Sequence, residues 1–328
     1  MRYLELDGRR LSVVGLGCFQ FGEKLWGYGT EYSQADSLAV IQRALELGVT
    51  VFDTAELYGA GRSEMLVGSA LSSWEGERFL ATKFLPIMPF PRVMLSHCAG
   101  SLDRLQVPLV DLYQVHWSNP AVPLRLQMEG MRRVLALGMS RYAGVSNFSL
   151  RRWIAAERLL GQPVISNQVR YNLLQRRPEE RGLLEYARQH SRVILAYSPL
   201  AQGALSGRYQ AGHAPRDLRR TNSLFTDTAL LAVAPLLETL REIADARQCS
   251  SSQVALAYLL AHPQVIVIPG AKSIEQLESN VAAAEVRLRD DELLALRRAA
   301  HLFQFSRAHA TVQLARRLLP TRHPGSAS

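Results

Sequence analysis

The sequence predicts an α/β protein that folds as a single (β/α)8 (TIM) barrel with an N-terminal β-hairpin, a long loop after the seventh strand and a C-terminal helix or tail. Short apolar runs rich in β-branched residues alternate with helical patterns along the 328 residues. No stretch rich in Pro, Gly and Ser divides the chain into two domains. An apolar content of 48% with 20% charged residues is typical of a globular protein with a large core.

The strands are predicted from short runs with few polar residues. Such runs indicate strands that are buried on both faces, as in a parallel sheet. The hairpin that precedes them is expected to turn at Asp7-Gly8, because this dipeptide favours a two-residue turn. The eight predicted barrel strands span residues 13–17, 49–53, 79–84, 111–116, 141–145, 164–169, 193–197 and 265–268.

The helices are predicted from apolar residues that recur on one face. In the first, over residues 36–47, Ser33 and Asp36 can form a capping box and Gly48 ends the helix. The further predicted helices span residues 63–71, 92–105, 123–137, 149–160, 179–189, 230–246, 252–261 and 273–286.

Two segments fall outside this alternation. Residues 203–228 are polar and basic and form the predicted long loop, and loops of that length are usually functional or disordered. The barrel is expected to occupy residues 1–303, and residues 304–328 are predicted to be a basic, weakly ordered tail.

Charge and composition exclude several function classes. The net charge of +9 comes mainly from residues 206–222 and 301–328, which does not indicate a nucleic-acid-binding face. No apolar run approaches the ~20 residues that span a bilayer, so no membrane association is expected. The three cysteines are far apart and predict neither disulfides nor a metal site, which fits a cytoplasmic protein. The oligomeric state is left open.

Familiar catalytic motifs are absent, but polar residues follow several predicted strands. The chain has no GxSxG, no HExxH, no Gly-Lys dipeptide of a phosphate-binding loop and no GxGxxG dinucleotide fingerprint. Asp53 ends the second strand with Tyr58 just after it, Lys83 lies in the third strand, and His116 ends the fourth. The carboxyl ends of barrel strands are where such enzymes place their active sites, so these side chains are expected to meet.

These four residue types together suit the reduction of a carbonyl group. We expect Asp53 to pair with Lys83, and Lys83 to lower the pKa of Tyr58 toward neutrality. A tyrosine with such a pKa is a general acid that can protonate a developing alkoxide. His116 is expected to orient the carbonyl group and to donate a hydrogen bond to its oxygen. A hydride donor would complete the chemistry.

The chain resembles the aldo-keto reductase superfamily through motifs that run in order to about residue 300. These are FDTAELYGAGRSEMLVG at 52–68, ATKF at 81–84, DLYQVHW at 111–117, GVSNF at 144–148, AYSPLAQGALSGRY at 196–209 and VIPGAKSIEQLESN at 267–280. The resemblance is to the branch with potassium-channel β-subunit-like and bacterial stress-type reductases. It implies a (β/α)8 barrel that binds a nicotinamide cofactor without a GxGxxG motif. It also implies that Asp53, Tyr58, Lys83 and His116 form the catalytic tetrad.

The resemblance further implies which residues bind the cofactor. Around the nicotinamide these are Ser146, Asn147, Gln168 and Tyr197. Along the pyrophosphate they are Ser198, Leu200, Gly203, Ser206 and Arg208. On the adenosine side they are Gly270, Lys272, Gln276 and Asn280.

Lys272 also predicts which nicotinamide cofactor is used. It directly follows the eighth strand, and the next helix would point its positive N-terminal end to the same place. A 2′-phosphate needs such cationic donors, so NADPH is expected to bind at least about ten times more tightly than NADH.

The sequence leaves two questions open. Phe21, Trp26 and Trp117 could form an apolar wall for a small-molecule carbonyl substrate, or they could cap the barrel core. The whole protein could be an NADPH-dependent reductase of aldehydes or ketones, or a cofactor-sensing regulatory subunit of the same fold with slow turnover. The complete set of Asp, Tyr, Lys and His favours the enzyme.

Overall fold

The computed structural model describes residues 1–215, 217–305 and 310–311. Eight parallel strands form one sheet in chain order, and the first of them meets the last. At this seam the Gly15 N–H donates to the carbonyl oxygen of Val267 at 2.8 Å, and the Val267 N–H donates to Val13 at 3.0 Å. The sheet therefore closes on itself, and the predicted (β/α)8 barrel is confirmed.

The strand bounds lie close to those predicted. The hairpin strands β1 and β2 are antiparallel and join through Asp7 and Gly8, which both have positive φ angles (49° and 77°). These angles match the two-residue turn that the dipeptide predicts. The strands are β1 Tyr3–Leu6, β2 Arg9–Ser12, β3 Leu16–Gly17, β4 Val51–Asp53, β5 Phe79–Phe84, β6 Val110–Val115, β7 Ser140–Ser146, β8 Val164–Arg170, β9 Val193–Tyr197 and β10 Val265–Ile268.

The helices differ from the prediction at three places. The helix expected over 179–189 is split in two, because Gly182 adopts a left-handed φ of 73°. The helix expected over 273–286 ends earlier, and a helix at 290–301 was not delimited from the sequence. The α-helices are α1 Gln34–Glu46, α2 Arg62–Leu71, α3 Pro91–Leu105, α4 Leu124–Ala136, α5 Leu150–Leu160, α6 Arg177–Glu180, α7 Leu183–Gln189, α8 Asp227–Arg247, α9 Ser251–Leu260, α10 Ile274–Ala282 and α11 Asp290–His301.

The hairpin closes one end of the barrel. Leu6 and Leu11 pack in one buried cluster with other strand residues, among them Val51, Phe79 and Val193, which are the first residues of their strands. The amino ends of the strands are therefore covered by apolar side chains. The hairpin leaves the carboxyl ends of the strands uncovered, and this open end is where (β/α)8 barrels place their chemistry.

The segment after β9 is long and irregular, as predicted. It contains short 3-10 helices at Ala201–Ser206, Leu218–Thr221 and Ser223–Phe225 before α8 begins. The predicted tail spans residues 304–328. Only residues 304–305 and 310–311 of it belong to the described part of the chain. Within the described parts of the chain, no helix has the length and apolar character needed to cross a membrane.

Candidate active site

Asp53 and Lys83 form a buried ion pair at the open end of the barrel. They lie on the adjacent strands β4 and β5, and Lys83 is fully buried. The Lys83 Nζ donates to Asp53 Oδ2 and to the carbonyl oxygen of Thr54, each at 2.7 Å. An unpaired ammonium at this depth would be strongly destabilising, so the carboxylate is what makes a lysine tolerable in the barrel interior.

Tyr58 lies against this ammonium group, but the expected change in its pKa is wrong in sign. The Lys83 Nζ is 4.6 Å from the centroid of the Tyr58 ring. Burial raises the pKa of Tyr58 by more than the Lys83 charge lowers it, so the net pKa lies above the ordinary value. Burial also lowers the pKa of Lys83, but Asp53 and Tyr58 together raise it by more. Both groups are therefore protonated at neutral pH in this structure, the state that a proton donor needs.

His116 lies beside Tyr58 as a neutral imidazole. The two rings meet edge to face with their centroids 5.7 Å apart. Burial, helped by the charge of Lys83, lowers the pKa of His116 to about 3. The buried Nδ1 of His116 has no hydrogen-bond partner among the described residues. A neutral histidine here can donate a hydrogen bond without adding a second positive charge next to Lys83.

The low pKa of His116 predicts that the protein loses stability in acid. The unfolded chain binds the proton near pH 6.5 and the folded protein only near pH 3, so stability falls as pH falls through this window. We expect the wild type to lose up to about 1.4 kcal/mol more per pH unit than His116→Gln below about pH 6. Urea unfolding at several pH values measures this difference, with the exposed His301→Gln as the matched control. Equal pH slopes for wild type and His116→Gln would contradict the burial of a neutral imidazole.

An aromatic wall lies beside Tyr58 and His116. Phe19 contacts Tyr58 at 4.9 Å and Trp26 at 5.5 Å between ring centroids, and Trp117 contacts His116 at 5.0 Å. Phe19 and Trp117 are exposed (42% and 37%), so both can meet a ligand. For Phe21, the sequence left open whether it lines this wall or caps the core, and in the structure it is fully buried in the core. Phe19, which was not predicted from the sequence, lies in the wall instead.

Two glutamine side chains hold the second oxygen of Asp53. The Gln168 Nε2 donates to Asp53 Oδ1 at 2.7 Å, and the Gln114 Nε2 lies 3.4 Å from the same atom. Asp53 is thereby held through both carboxylate oxygens, because Lys83 binds Oδ2 and the glutamines lie at Oδ1. Gln114 was not predicted from the sequence, although a glutamine close to the carboxyl end of β6, two residues before His116, is a detectable signal.

The expected nicotinamide residues form one hydrogen-bonded cluster next to this carboxylate. The Tyr197 hydroxyl donates to Asn147 Oδ1 at 2.9 Å, and Asn147 Nδ2 donates to Ser146 Oγ at 3.0 Å. Ser146 Oγ in turn donates to the carbonyl oxygen of Gln168 at 3.0 Å. Asn147 has a left-handed φ of 60°, a conformation that asparagine adopts more easily than most residues. These four residues come from three neighbouring strands and reach one place.

The expected adenosine residues lie after β10, and Lys272 has a partner there. The Lys272 Nζ binds Glu31 Oε2 at 2.7 Å, an ion pair that the sequence analysis did not foresee. Gln276 Oε1 accepts the backbone N–H of Lys272 at 3.0 Å. The Asn280 amide lies 3.4 Å from the carbonyl oxygen of Gly270. Gln276 and Asn280 thus hydrogen-bond to the backbone of the turn between β10 and α10, and Lys272 is the positively charged residue of that turn.

The expected pyrophosphate residues lie at the start of the segment after β9. Ser198 has a left-handed φ of 49°, and the Ser206 Oγ donates to the carbonyl oxygen of Gly203 at 2.7 Å. Arg208 is exposed, whereas Arg219 packs on the Tyr209 ring at 5.3 Å and pairs with Asp217 at 2.6 Å. Leu200 directly precedes the 3-10 turn of this segment.

Comparisons with known proteins identify the family to which the chain belongs. The sequence model of the Aldo/keto reductase family matches residues 13–301. An uncharacterized oxidoreductase of Mycobacterium tuberculosis (strain ATCC 25618 / H37Rv) is 45% identical over 93% of this chain and 94% of its own length. An aldo-keto reductase of Klebsiella pneumoniae, crystallised with NADPH, is 28% identical, with a TM-score of 0.73 over 93% of this chain and 96% of its own. The glycerol dehydrogenase AKR11B4 of Gluconobacter oxydans is 26% identical, with a TM-score of 0.81 over 100% of this chain and 98% of its own. The chain belongs to the aldo/keto reductase family of oxidoreductases.

Proposed function

We propose that this protein is an NADPH-dependent reductase of aldehydes or ketones in which Tyr58 is the proton donor. The observation that carries the proposal is that the Tyr58 ring contacts two different groups. These are the Lys83 ammonium, which lies 4.6 Å from the ring centroid and is held by Asp53 at 2.7 Å, and the neutral imidazole of His116. The barrel of residues 1–303 is proposed as the catalytic unit.

The chain's own residues would handle the proton and the oxygen of the substrate. The Tyr58 hydroxyl donates its proton to the carbonyl oxygen, and the Lys83 ammonium stabilises the phenolate that remains. His116 donates a hydrogen bond to the same oxygen, so the negative charge that develops there is shared. Asp53 keeps Lys83 charged and in place, and water returns the proton to Tyr58 after the product leaves.

The residues next to Asp53 fit a nicotinamide ring. Amide groups of Asn147 and Gln168 and the hydroxyl of Ser146 offer both donors and acceptors to a carboxamide, and the Tyr197 ring beside them offers a stacking surface. The nicotinamide supplies the hydride when the cofactor is bound. We propose that these four residues orient it toward the substrate carbon.

The loops after β9 and β10 fit the rest of the cofactor. Lys272 and the N-terminal end of α10, where Ser273 caps the helix, offer positive charge to a phosphate. A Cβ at Gly270 would lie 2.5 Å from Gln20 Oε1, so a larger residue there would have to displace the Gln20 side chain. The further proposed cofactor residues are Ser198, Leu200, Gly203, Ser206, Arg208, Gln276 and Asn280.

Replacing Lys272 with alanine is expected to weaken NADPH far more than NADH. The lysine is proposed to contact the 2′-phosphate, which NADH lacks, so the Kd of NADPH should rise about ten- to hundred-fold. The wild type should bind NADPH at least about ten times more tightly than NADH for the same reason. Quenching of tryptophan fluorescence measures the Kd of NADPH and of NADH for both the wild type and Lys272→Ala. Equal binding of both cofactors by the wild type, or equal weakening of both by Lys272→Ala, would contradict the assignment.

Glu31→Gln is expected to strengthen NADPH binding, whereas Lys272→Ala is expected to weaken it. The Glu31 carboxylate accepts a hydrogen bond from the Lys272 Nζ at 2.7 Å. A 2′-phosphate that binds Lys272 must therefore displace this carboxylate. The pair is partly exposed, and such pairs are worth about 0.2–1 kcal/mol, so the Kd of NADPH should fall only up to about fivefold. The Kd of NADH should not change. Weaker NADPH binding by Glu31→Gln would show that the ion pair supports the site rather than competing with the phosphate.

Trp26 and Trp117, with Phe19, are proposed to line the substrate space. They extend the ring contacts of Tyr58 and His116 toward the open end of the barrel. Apolar and aromatic side chains around a few polar groups are typical of small-molecule sites. A small carbonyl compound is the substrate that this arrangement suits.

A turnover assay separates the enzyme from a regulatory subunit of the same fold. The protein is mixed with NADPH and a panel of aldehydes and ketones, and the cofactor absorbance is followed. The proposal expects steady oxidation of NADPH that depends on the carbonyl compound. Tight binding of NADPH without turnover on any compound would favour the cofactor-sensing subunit.

A further inference from the structure

The turn that bears Tyr58 contains a second buried carboxylate that the proton transfer does not use. Glu56 lies between Asp53 and Tyr58 in the chain, and its side chain is only 10% exposed. A carboxylate at this depth needs hydrogen-bond donors. The groups that hydrogen-bond to Glu56 show which segments of the chain its side chain links.

Glu56 joins the Tyr58 turn to the strand that carries Lys83. Its Oε1 accepts the backbone N–H of Leu85, two residues beyond Lys83. Its two oxygens lie 3.0 and 2.9 Å from Nδ1 of His97, which belongs to α3. The regular pairing of β4 with β5 ends at Asp53, opposite Ala81, so Glu56 continues the connection where the sheet no longer does.

The backbone of the turn is left-handed over three successive residues. Directly after Tyr58, the residues Gly59, Ala60 and Gly61 all have positive φ angles of 56°, 55° and 88°. Ala60 carries a Cβ, and L-residues rarely adopt this conformation. The turn therefore has one disfavoured residue close to Tyr58, and contacts from outside the turn can help to hold it in place.

We infer that Glu56 is a positioning residue that holds the Tyr58 phenol against Lys83 and His116. The inference rests on the proposed role of Tyr58 as proton donor. Glu56 touches neither Lys83 nor the phenol through any described hydrogen bond, and it acts through the backbone of Leu85 and the ring of His97. A displacement of about 1 Å at reacting atoms can lower a rate about 100-fold.

The test compares Glu56→Ala with Glu56→Gln and with a matched control, Glu64→Ala. Glu64 is also buried and also joins β5 to α3, through the Thr82 hydroxyl at 2.5 Å and Arg104 at 2.7 Å, but it lies outside the Tyr58 turn. Glu56→Ala should lower kcat about 100-fold, while the Kd of NADPH stays close to the wild-type value. Glu56→Gln keeps an oxygen for the Leu85 N–H and should recover most of kcat. Glu64→Ala should lower the melting temperature yet keep kcat near the wild-type value.

A double variant shows whether Glu56 acts through Tyr58. If it does, Tyr58→Phe with Glu56→Ala should be no slower than Tyr58→Phe alone, because the effects of residues that act as a unit do not add. Full multiplication of the two losses would overturn the inference, as would a wild-type kcat in Glu56→Ala or an equal loss of kcat in Glu64→Ala. Failure of the proposed function has a different signature, in which Tyr58→Phe alone keeps its turnover.

Discussion

Replacing Tyr58 with phenylalanine is expected to lower kcat for aldehyde reduction by about 10²–10⁴-fold, the usual contribution of a positioned general acid. The variant loses only the hydroxyl, which is the group proposed to give its proton to the carbonyl oxygen. Its ring still contacts Phe19 and His116, whose centroids lie 4.9 and 5.7 Å from that of Tyr58. The Kd of NADPH should therefore stay close to the wild-type value.

The measurement is steady-state turnover with saturating NADPH and aldehyde, together with the Kd of NADPH. Tyr28→Phe is the matched control, because it also removes one phenol hydroxyl, from a loop tyrosine whose ring packs on Tyr32 at 5.8 Å. Near-normal turnover of Tyr58→Phe would remove Tyr58 from the proton transfer. A large rise in the Kd of NADPH would instead place the hydroxyl in cofactor binding.

Lys83→Met is expected to be nearly inactive, and Lys83→Arg is expected not to restore activity. Lys83 is fully buried, and its Nζ reaches Asp53 Oδ2 and the carbonyl oxygen of Thr54 at the same 2.7 Å. A guanidinium keeps the charge, but its planar fork is larger and directs its donors differently. Lys83→Met also leaves Asp53 without its cation, and breaking a buried pair in this way costs about 3–5 kcal/mol.

Turnover and the free energy of unfolding should be measured together, so that loss of folded protein is not mistaken for loss of activity. Lys24→Arg, at an exposed position, is the matched control and should behave as the wild type. Full activity of Lys83→Arg would show that positive charge alone is sufficient. A wild-type free energy of unfolding for Lys83→Met would contradict the buried ion pair.

The barrel could be predicted from the sequence because its signals are local. Apolar runs such as 79–84 and 193–197 have the same bounds in the structure, and the capping box of Ser33 and Asp36 begins α1 as expected. The carboxyl ends of parallel strands meet by topology, so Asp53 and Lys83 could be placed together without coordinates. The family motifs added the cofactor residues, whose roles stay predictions.

What could not be predicted depends on packing in three dimensions. Phe19 and Phe21 lie two residues apart in a loop, where no periodicity tells which ring is buried. Glu31 and Lys272 are far apart in the chain, so their ion pair has no signal in a single sequence. The pKa of Tyr58 was misjudged because the sequence shows the neighbouring Lys83 but not the depth of burial, which has the larger effect.

The most direct test of the account is a single turnover with NADPH that carries deuterium at the transferable position of the nicotinamide. The wild type, with NADPH bound in excess over an aldehyde, should give an alcohol with the label on its carbinol carbon. Tyr58→Phe should bind the same cofactor and form this alcohol about 10²–10⁴ times more slowly. An unlabelled alcohol, no alcohol from the wild type, or equal rates for the two proteins would contradict hydride transfer with Tyr58 as the proton donor.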